Sequence, residues 1–516
     1  MLVTAYGSAV EGVNATTITI EVNVAAGQPF YAITGLPDSA IKESTFRIEA
    51  ALGAMRYQMP RRRCIINMAP ASVRKEGAHY DLALALALLA ASEQTLVTVA
   101  ERLQTAVVMG ELALDGTVRP IKGVLPMAIQ ARKEGFKEFL VPKENAQEAA
   151  IVNQLQVIPV GSLREAIDHL SGQAPIQPLV IDTRDVFESE VYQYAADFAD
   201  VQGQENIKRA LEIAAAGAHN VILIGPPGAG KTMLAKRLPS ILPPLTLPEA
   251  LETTKIHSVA GKLPSAGGLL AQRPYRSPHH TISDAALVGG GSYPQPGEIS
   301  LAHNGVLFLD ELPEFRRSVL EVMRQPLEER RVTISRARIA VEFPSSFMLV
   351  AAMNPCPCGY FNHPEKACTC GPGVVQRYLS RVSGPLLDRI DLHVEVTPVS
   401  FDQMAENRRS EPSTAVRARV IKARQRQAER FKEFPDIHSN AMMPAPMVKD
   451  VCVLPQAGLT LLKTAMERLG LSARAYDRIL KVSRTIADLA GSDDIKIEHL
   501  AEAIQYRSLD RESWGS

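Results

Sequence analysis

The spacing of apolar positions changes along the chain and divides it into three regions. Residues 16–24 (TTITIEVNV) alternate polar and apolar with β-branched enrichment, which predicts a half-buried strand. Residues 39–54 carry helical spacing, with Asp38 or Ser39 as the cap. Residues 64–68 read as a short apolar strand, and 81–91 as a helix apolar on every side and therefore buried. A strand at 105–109, a turn at Asp115-Gly116, a helix over 121–135 and a strand at 139–141 complete an α/β region spanning 1–170. Residues 171–186 (SGQAPIQPLVIDTRDV) show no period and hold Pro and Gly, so they read as a linker. Residues 187–396 alternate strands and helices, with apolar strands at 221–224, 306–309 and 347–353. Residues 397–516 read as wholly helical, and no internal repeat interrupts the chain.

Composition narrows the class. A chain of 516 residues suggests about three domains. It is 46% hydrophobic and 22% charged, as globular proteins are. Lys+Arg and Asp+Glu each number 56, so a globally basic nucleic-acid binder is excluded but a local basic patch is not. Aromatic residues at 5% argue against a chain built on stacking platforms. The longest apolar run, 82–91, is half of the ~20 residues a bilayer requires. The N-terminus has neither a basic segment nor an apolar core, so no secretory signal is read and a cytoplasmic location is expected.

Three apolar strands end in chemistry. The strand at 221–224 runs into Gly225-Pro226-Pro227-Gly228-Ala229-Gly230-Lys231-Thr232 and then a helix. The glycines let backbone amides approach phosphate, Lys231 gives a charge to the β- and γ-phosphates, and Thr232 offers Mg²⁺ a hydroxyl. The strand at 306–309 ends in Asp310 and Glu311, about eighty residues later. Asp310 is expected to hold Mg²⁺ and Glu311 to polarise the attacking water. The strand at 347–353 ends at Asn354, where an α/β sheet binds ligand. Cys356, Cys358, Cys368 and Cys370 follow. Four thiolates suit one tetrahedral zinc ion, structural rather than catalytic, although C-x-C is tighter than the common spacing and free thiols are the plain alternative. His279 and His280 are read as structural, with ligand or phosphate contacts as the alternative.

Long blocks then carry a resemblance. Residues 276–283 (RSPHHTIS), 287–292 (LVGGGS), 296–303 (PGEISLAH), 310–314 (DELPE), 354–359 (NPCPCG) and 383–391 (SGPLLDRID) resemble the Mg-chelatase-like branch of AAA+ ATPases, and more narrowly the ComM/YifB family. The resemblance implies a P-loop AAA+ α/β core over 187–396 and an all-α C-terminal lid over 397–516. It implies ATP and Mg²⁺ as cofactors and self-association into a hexameric ring. It makes Asn354 the sensor of the hydrolytic water and Arg474 a second sensor acting from the lid. Arg389 matches the arginine finger that reaches a neighbouring subunit, with Arg381 as the fallback. Cations at these places neutralise charge on the transferring phosphoryl group.

Residues 1–170 resemble the proteolytic domain of Lon, through 110–121 (GELALDGTVRPI) and 140–145 (LVPKEN). That domain works by a Ser–Lys dyad. Here the Ser position falls on His79 and the Lys position on Leu125, so a scaffold without peptidase chemistry is expected. Ser72 with Lys75, or Lys122, are the neighbouring alternatives.

The family resemblance implies a DNA helicase that promotes branch migration during natural transformation or recombination. Partners would be single-stranded or branched DNA and recombination proteins, with no membrane. Two basic features agree. Residues 407–433 hold nine Lys/Arg against three Glu, and Arg336 and Arg338 sit near the turn of an alternating hairpin at 330–341. Solvated basic faces are the plain alternative. A protein-remodelling ATPase and a chelatase-type motor subunit remain open as other functions.

Overall fold

The computed structural model describes residues 1–194, 196–264, 268–291, 294–336, 339–361, 363, 365–371, 373–398, 410–434 and 436–507, with backbone only at Arg336 and Ile339. The first region is a seven-stranded mixed sheet. Its spatial order is Phe30–Thr34, Arg63–Ala69, Asn14–Ala25, Leu2–Glu11, Ala106–Val108, Glu138–Pro142 and Gln156–Val160. Leu2–Glu11 and Asn14–Ala25 form a long antiparallel hairpin about Gly12, whose φ of 64° suits glycine. Asp81–Ala91 lies against this hairpin with every residue buried, as its all-round apolar pattern requires. The helical spacing over 39–54 resolves into two helices, Ser39–Lys42 capped by Asp38, and Ser44–Ala54.

The expected linker is only partly irregular. Helix Thr183–Glu190 starts within it, because the Asp182 carboxylate accepts the amides of Arg184 and Asp185.

The second region is a five-stranded parallel sheet in the order Tyr275–Arg276, Val306–Leu309, Met348–Met353, Val221–Ile224, Leu392–Glu395. Its central strands are buried on both faces, the reason they read as continuous apolar runs. Alternate residues serve different layers. Val221, Leu223, Phe308, Val350 and Val394 pack toward helix Glu205–Gly217 and the C-terminal helices. Ile222, Ile224, Leu307, Leu309 and Leu349 face the opposite layer, with Phe315 and Leu320. The strands lie in register, Ile224 beside Met353 and Leu309 beside Ala351, so their C-terminal ends share one edge.

The C-terminal region is helical where described. Ser413–Arg430, Gln456–Leu469, Ala473–Leu489 and Ile497–Gln505 share one apolar cluster with the sheet. The N-terminal region is joined to the second through helix Leu247–Ala260. Gly123 donates its amide to the Ser258 carbonyl at 3.1 Å, and Ser258 Oγ donates to the buried Glu148 carboxylate. Leu245, Ala250 and Leu269 enter the N-terminal core. No helix among the described residues is long and apolar enough to cross a membrane.

Candidate nucleotide site

Three loops meet at the C-terminal edge of the parallel sheet. The first connects Val221–Ile224 to helix Lys231–Arg237. Gly228 and Gly230 take φ values of 79° and 85°, which only glycine adopts without strain. A Cβ at Gly228 would meet nothing within 4 Å, so the space on that side of the loop is open. A Cβ at Gly225 would lie 2.3 Å from the Val396 carbonyl oxygen, which fixes the loop against the end of the neighbouring strand. Lys231 is buried and donates to the Gly225 and Pro226 carbonyls at 2.6 and 2.9 Å and to Asn354 Oδ1 at 3.1 Å. Burial pushes its ammonium below the usual lysine range, and the nearby Asp310 carboxylate partly opposes that.

Thr232 Oγ1 donates to Asp310 Oδ2 at 2.6 Å, which brings together the two oxygens that the sequence assigned to Mg²⁺. Glu311 sits in the left-handed region at φ 53°, and its amide donates to Asp310 Oδ1 at 3.0 Å. Its side chain is 57% exposed and reaches His280, with Nδ1 and Oε2 3.2 Å apart. His280 in turn packs against His279, with ring centroids 4.0 Å apart and planes tilted by 34°. The structure therefore brings Lys231, Thr232, Asp310, Glu311 and Asn354 to one edge and adds His280. A glycine-bearing loop before a helix, a buried ammonium and paired hydroxyl and carboxylate ligands fit a nucleotide triphosphate with its magnesium.

The lid is tied to the opposite, N-terminal edge of the sheet by two charge pairs one helical turn apart. Arg474 meets Asp388 at 3.2 Å and Arg478 meets Asp391 at 2.9 Å. Asp391 is fully buried and also accepts the Asn220 amide at 2.9 Å. Burial alone would raise its carboxyl, but Arg478, His219 and the amide hold it well below the usual carboxylate range.

Comparison with known proteins agrees with this geometry. Models described as magnesium chelatase, subunit ChlI, match residues 20–145 and 197–404, and its C-terminal model matches 410–507. Competence protein ComM of Haemophilus influenzae is 44% identical over 98% of this chain and 97% of its own. YifB of Escherichia coli is 43% identical over 97% and 96%. The chain belongs to the ComM/YifB family of Mg-chelatase-like AAA+ ATPases. Lon protease 2 of Bacillus subtilis is 33% identical over 28% of this chain and 27% of its own. Membership of the ComM/YifB family implies ATP and Mg²⁺ at the C-terminal edge described above.

Other residues of this ComM/YifB chain fall in contrasting places. Arg389 is 9% exposed, donates to the Pro385 carbonyl at 2.6 Å and pairs with Glu328. Arg381 is 54% exposed and pairs with Glu314 at 3.1 Å. The lid helix Ser413–Arg430 turns its arginines inward. Arg419 binds Glu212 and Glu411, Arg424 binds the Ala215 carbonyl, Arg426 binds Asp493 and Arg430 binds Asp488. Arg417 donates to the Ser240 carbonyl and lies over Tyr192 and Tyr194. The stripe thus pairs with acidic and carbonyl partners of core and lid, as the plain alternative expects of its charges, but much of it is a seam and not a solvated face. Arg408 and Arg409 lie outside the described residues. The hairpin forms from Arg331–Arg336 and Ile339–Pro344, with Arg336 opposite Ile339; Arg338 and the Arg336 side chain lie outside the described residues.

In the Lon-like region, His79 is enclosed beside Tyr80 and pushed down to about 4 by burial. Leu125 is buried, and its amide donates to Glu148 at 2.8 Å. Lys75 is buried with its amine on the Pro70 carbonyl, while Ser72 is exposed. The four clustered cysteines converge. Sγ separations are 3.3 Å for Cys356–Cys358, 3.8 Å for Cys356–Cys368 and 3.6 Å for Cys358–Cys368, and all four atoms, Cys370 included, lie within 4.8 Å of one another.

Sequence reasoning read His280 as structural, with a ligand role as the alternative, without its contact to Glu311, and it missed the Asp391 cluster and Glu148 with Ser258. His280 lies inside a quoted motif, which was a usable signal. The other two join residues more than a hundred positions apart and leave no local trace.

Proposed function

We propose that the chain is an ATP-driven DNA motor that promotes branch migration in recombination or natural transformation, working as a hexameric ring. The observation that carries the reading is the complete phosphate-site constellation, in a chain similar over its whole length to a protein named for competence. Lys231 takes the β- and γ-phosphates, and Thr232 and Asp310 hold Mg²⁺. Glu311 leaves His280 to accept a proton from the attacking water, which Asn354 orients. Arg474, 63% exposed, pairs with Asp388 ahead of strand Leu392–Glu395, at the edge away from the chain's own phosphate loop, a placement that does not favour the second-sensor role in cis. Two arginines compete for the contact with the next subunit. The motif favours Arg389, which must first leave Glu328 and the Pro385 carbonyl; exposure favours Arg381.

DNA contact is assigned to the hairpin of Arg331–Arg336 and Ile339–Pro344, through Arg336 and Arg338, the latter in the sequence between the two strands, since the lid-helix arginines are engaged within the chain. The thiol cluster is assigned one structural zinc ion. Ligands about 2.3 Å from a tetrahedral ion stand about 3.8 Å apart, close to the sulfur separations found. The location assigned is cytoplasmic.

The test is steady-state ATP hydrolysis with single-stranded, forked and four-way-junction DNA, with Glu311→Gln as the blank. Stimulation by branched DNA that fades with salt is expected. Hydrolysis indifferent to every DNA would overturn the reading in favour of protein remodelling.

A further inference from the structure

The cysteine cluster has no part in the phosphate chemistry, yet it adjoins that site on two sides. Cys356 follows Asn354 by two residues, and Asn354 Oδ1 is one of the three acceptors holding Lys231. The second contact is at Gly359, the tip of the turn closed by its own amide onto the Cys356 carbonyl at 3.0 Å. Gly359 is buried with φ 84°, and a Cβ there would stand 2.5 Å from Cδ of Pro227 in the phosphate loop. Pro227 thus rests directly on the backbone of the cysteine loop. On the other flank of the phosphate loop, Gly228 has nothing within 4 Å of where a Cβ would point.

The thiols are arranged for a metal and not for a disulfide. The nearest pair is 3.3 Å apart, against about 2.05 Å for an S–S bond. The Phe361 amide donates to Cys356 Sγ at 3.3 Å, a backbone donor of the kind that stabilises a metal-bound thiolate. Without an ion, four thiolates at these separations repel one another, and the thiols hold the loop only by weak sulfur hydrogen bonds.

Resting on the zinc assignment above, we infer that the metal-held loop is a strut for the phosphate loop, so that zinc occupancy sets nucleotide affinity. With zinc bound, the four thiolates are held together, Gly359 supports Pro227, and Asn354 is held at the distance Lys231 requires. When zinc leaves, the thiols take up protons, the turn at Gly359 loosens, and the amides of the phosphate loop lose their fixed positions. The chain then carries a nucleotide site that depends on a second, non-catalytic metal.

The experiment uses the full chain. Zinc per chain is measured by mass spectrometry of the metal. Affinity for a fluorescent ATP analogue with Mg²⁺ is then measured in zinc-bound, stripped and zinc-restored protein, with circular dichroism as the check on folding. About one zinc per chain is expected, with binding weakened about tenfold or more on stripping and recovered on restoration. Gly359→Ala, which presses a methyl group into Pro227, should keep its zinc and bind the analogue about tenfold more weakly. Protein isolated without zinc, and taking up none, overturns the metal assignment itself. Zinc present at one per chain, with unchanged affinity in Gly359→Ala and in folded stripped protein, overturns the strut and leaves the metal assignment standing. If stripping unfolds the chain, Gly359→Ala alone decides.

Discussion

Replacing Arg478 by Leu tests how the lid is held to the parallel sheet. Arg478 is the direct counterion of Asp391, 2.9 Å away, and Asp391 is 1% exposed. The substitution leaves the carboxylate with the Asn220 amide and the His219 ring, 3.6 Å off. Breaking a buried pair costs roughly 3–5 kcal/mol, and Arg478 is partly exposed, so about 3 kcal/mol is expected. That corresponds to roughly a hundredfold rise in lid opening, since about 1.4 kcal/mol is tenfold. Hydrogen exchange of amides in Ala473–Leu489 reads this directly and does not require whole-chain unfolding to be two-state. Acid sensitivity adds a second readout. The Asp391 carboxyl lies well below its ordinary value in the folded chain, so its contribution is present above about pH 4 and is lost as pH falls below that. Without Arg478 the folded carboxyl moves back up toward its ordinary value, so that acid loss should shrink. Unchanged exchange and an unchanged acid limb would refute the assignment of Arg478 as counterion.

Three further outcomes are expected. Lys481 is buried in the lid and pushed down to about 8 from an ordinary 10.5, so its charge opposes folding. Lys481→Met should therefore stabilise the chain by up to roughly 3 kcal/mol below pH 8, with the gain shrinking as pH rises toward 10, as read by urea unfolding at several pH values. Gly225→Ala should abolish nucleotide binding in a titration while the chain stays folded, because the added methyl meets a backbone oxygen that cannot move aside. Burial raises the Glu148 carboxyl above its usual range, against the pull of its donors Ser258 and Leu125, so neutralising it should be tolerated. Glu148→Gln should keep the two regions joined, whereas Glu148→Ala should orphan the Leu125 amide and cost about 1–3 kcal/mol, seen as early melting of one region.

The phosphate loop, the Asp310-Glu311 strand end and Asn354 were legible because each is a short apolar strand followed at once by its chemistry. That they share one edge depends on strand order and register, which pair Val221 with Val350 across 129 positions. The first strand, Leu2–Glu11, escaped notice because Gly7, Ser8 and Ala9 blur its alternation; pairing with Asn14–Ala25 makes it a strand. The basic stretch at 407–433 looked the same as a DNA-facing stripe because the partners of its arginines, Glu212, Asp488 and backbone carbonyls, are remote in sequence. The enclosure of Arg389 by Glu328 and Pro385 is likewise tertiary. Local chemistry was readable, and the choice among similar charges was not.

Leu125, which the Lon likeness places where a peptidase keeps its lysine, offers its backbone amide to Glu148, and Glu148 accepts from Ser258 of the second region. The first region is thereby an anchorage for the second. Leu245, Ala250 and Leu269 of the second region lie in the first region's apolar interior, so cutting the chain near residue 171 would bare greasy surface on both pieces. Whatever else it does, the first region is a fixed mount for the sheet whose edge holds the nucleotide.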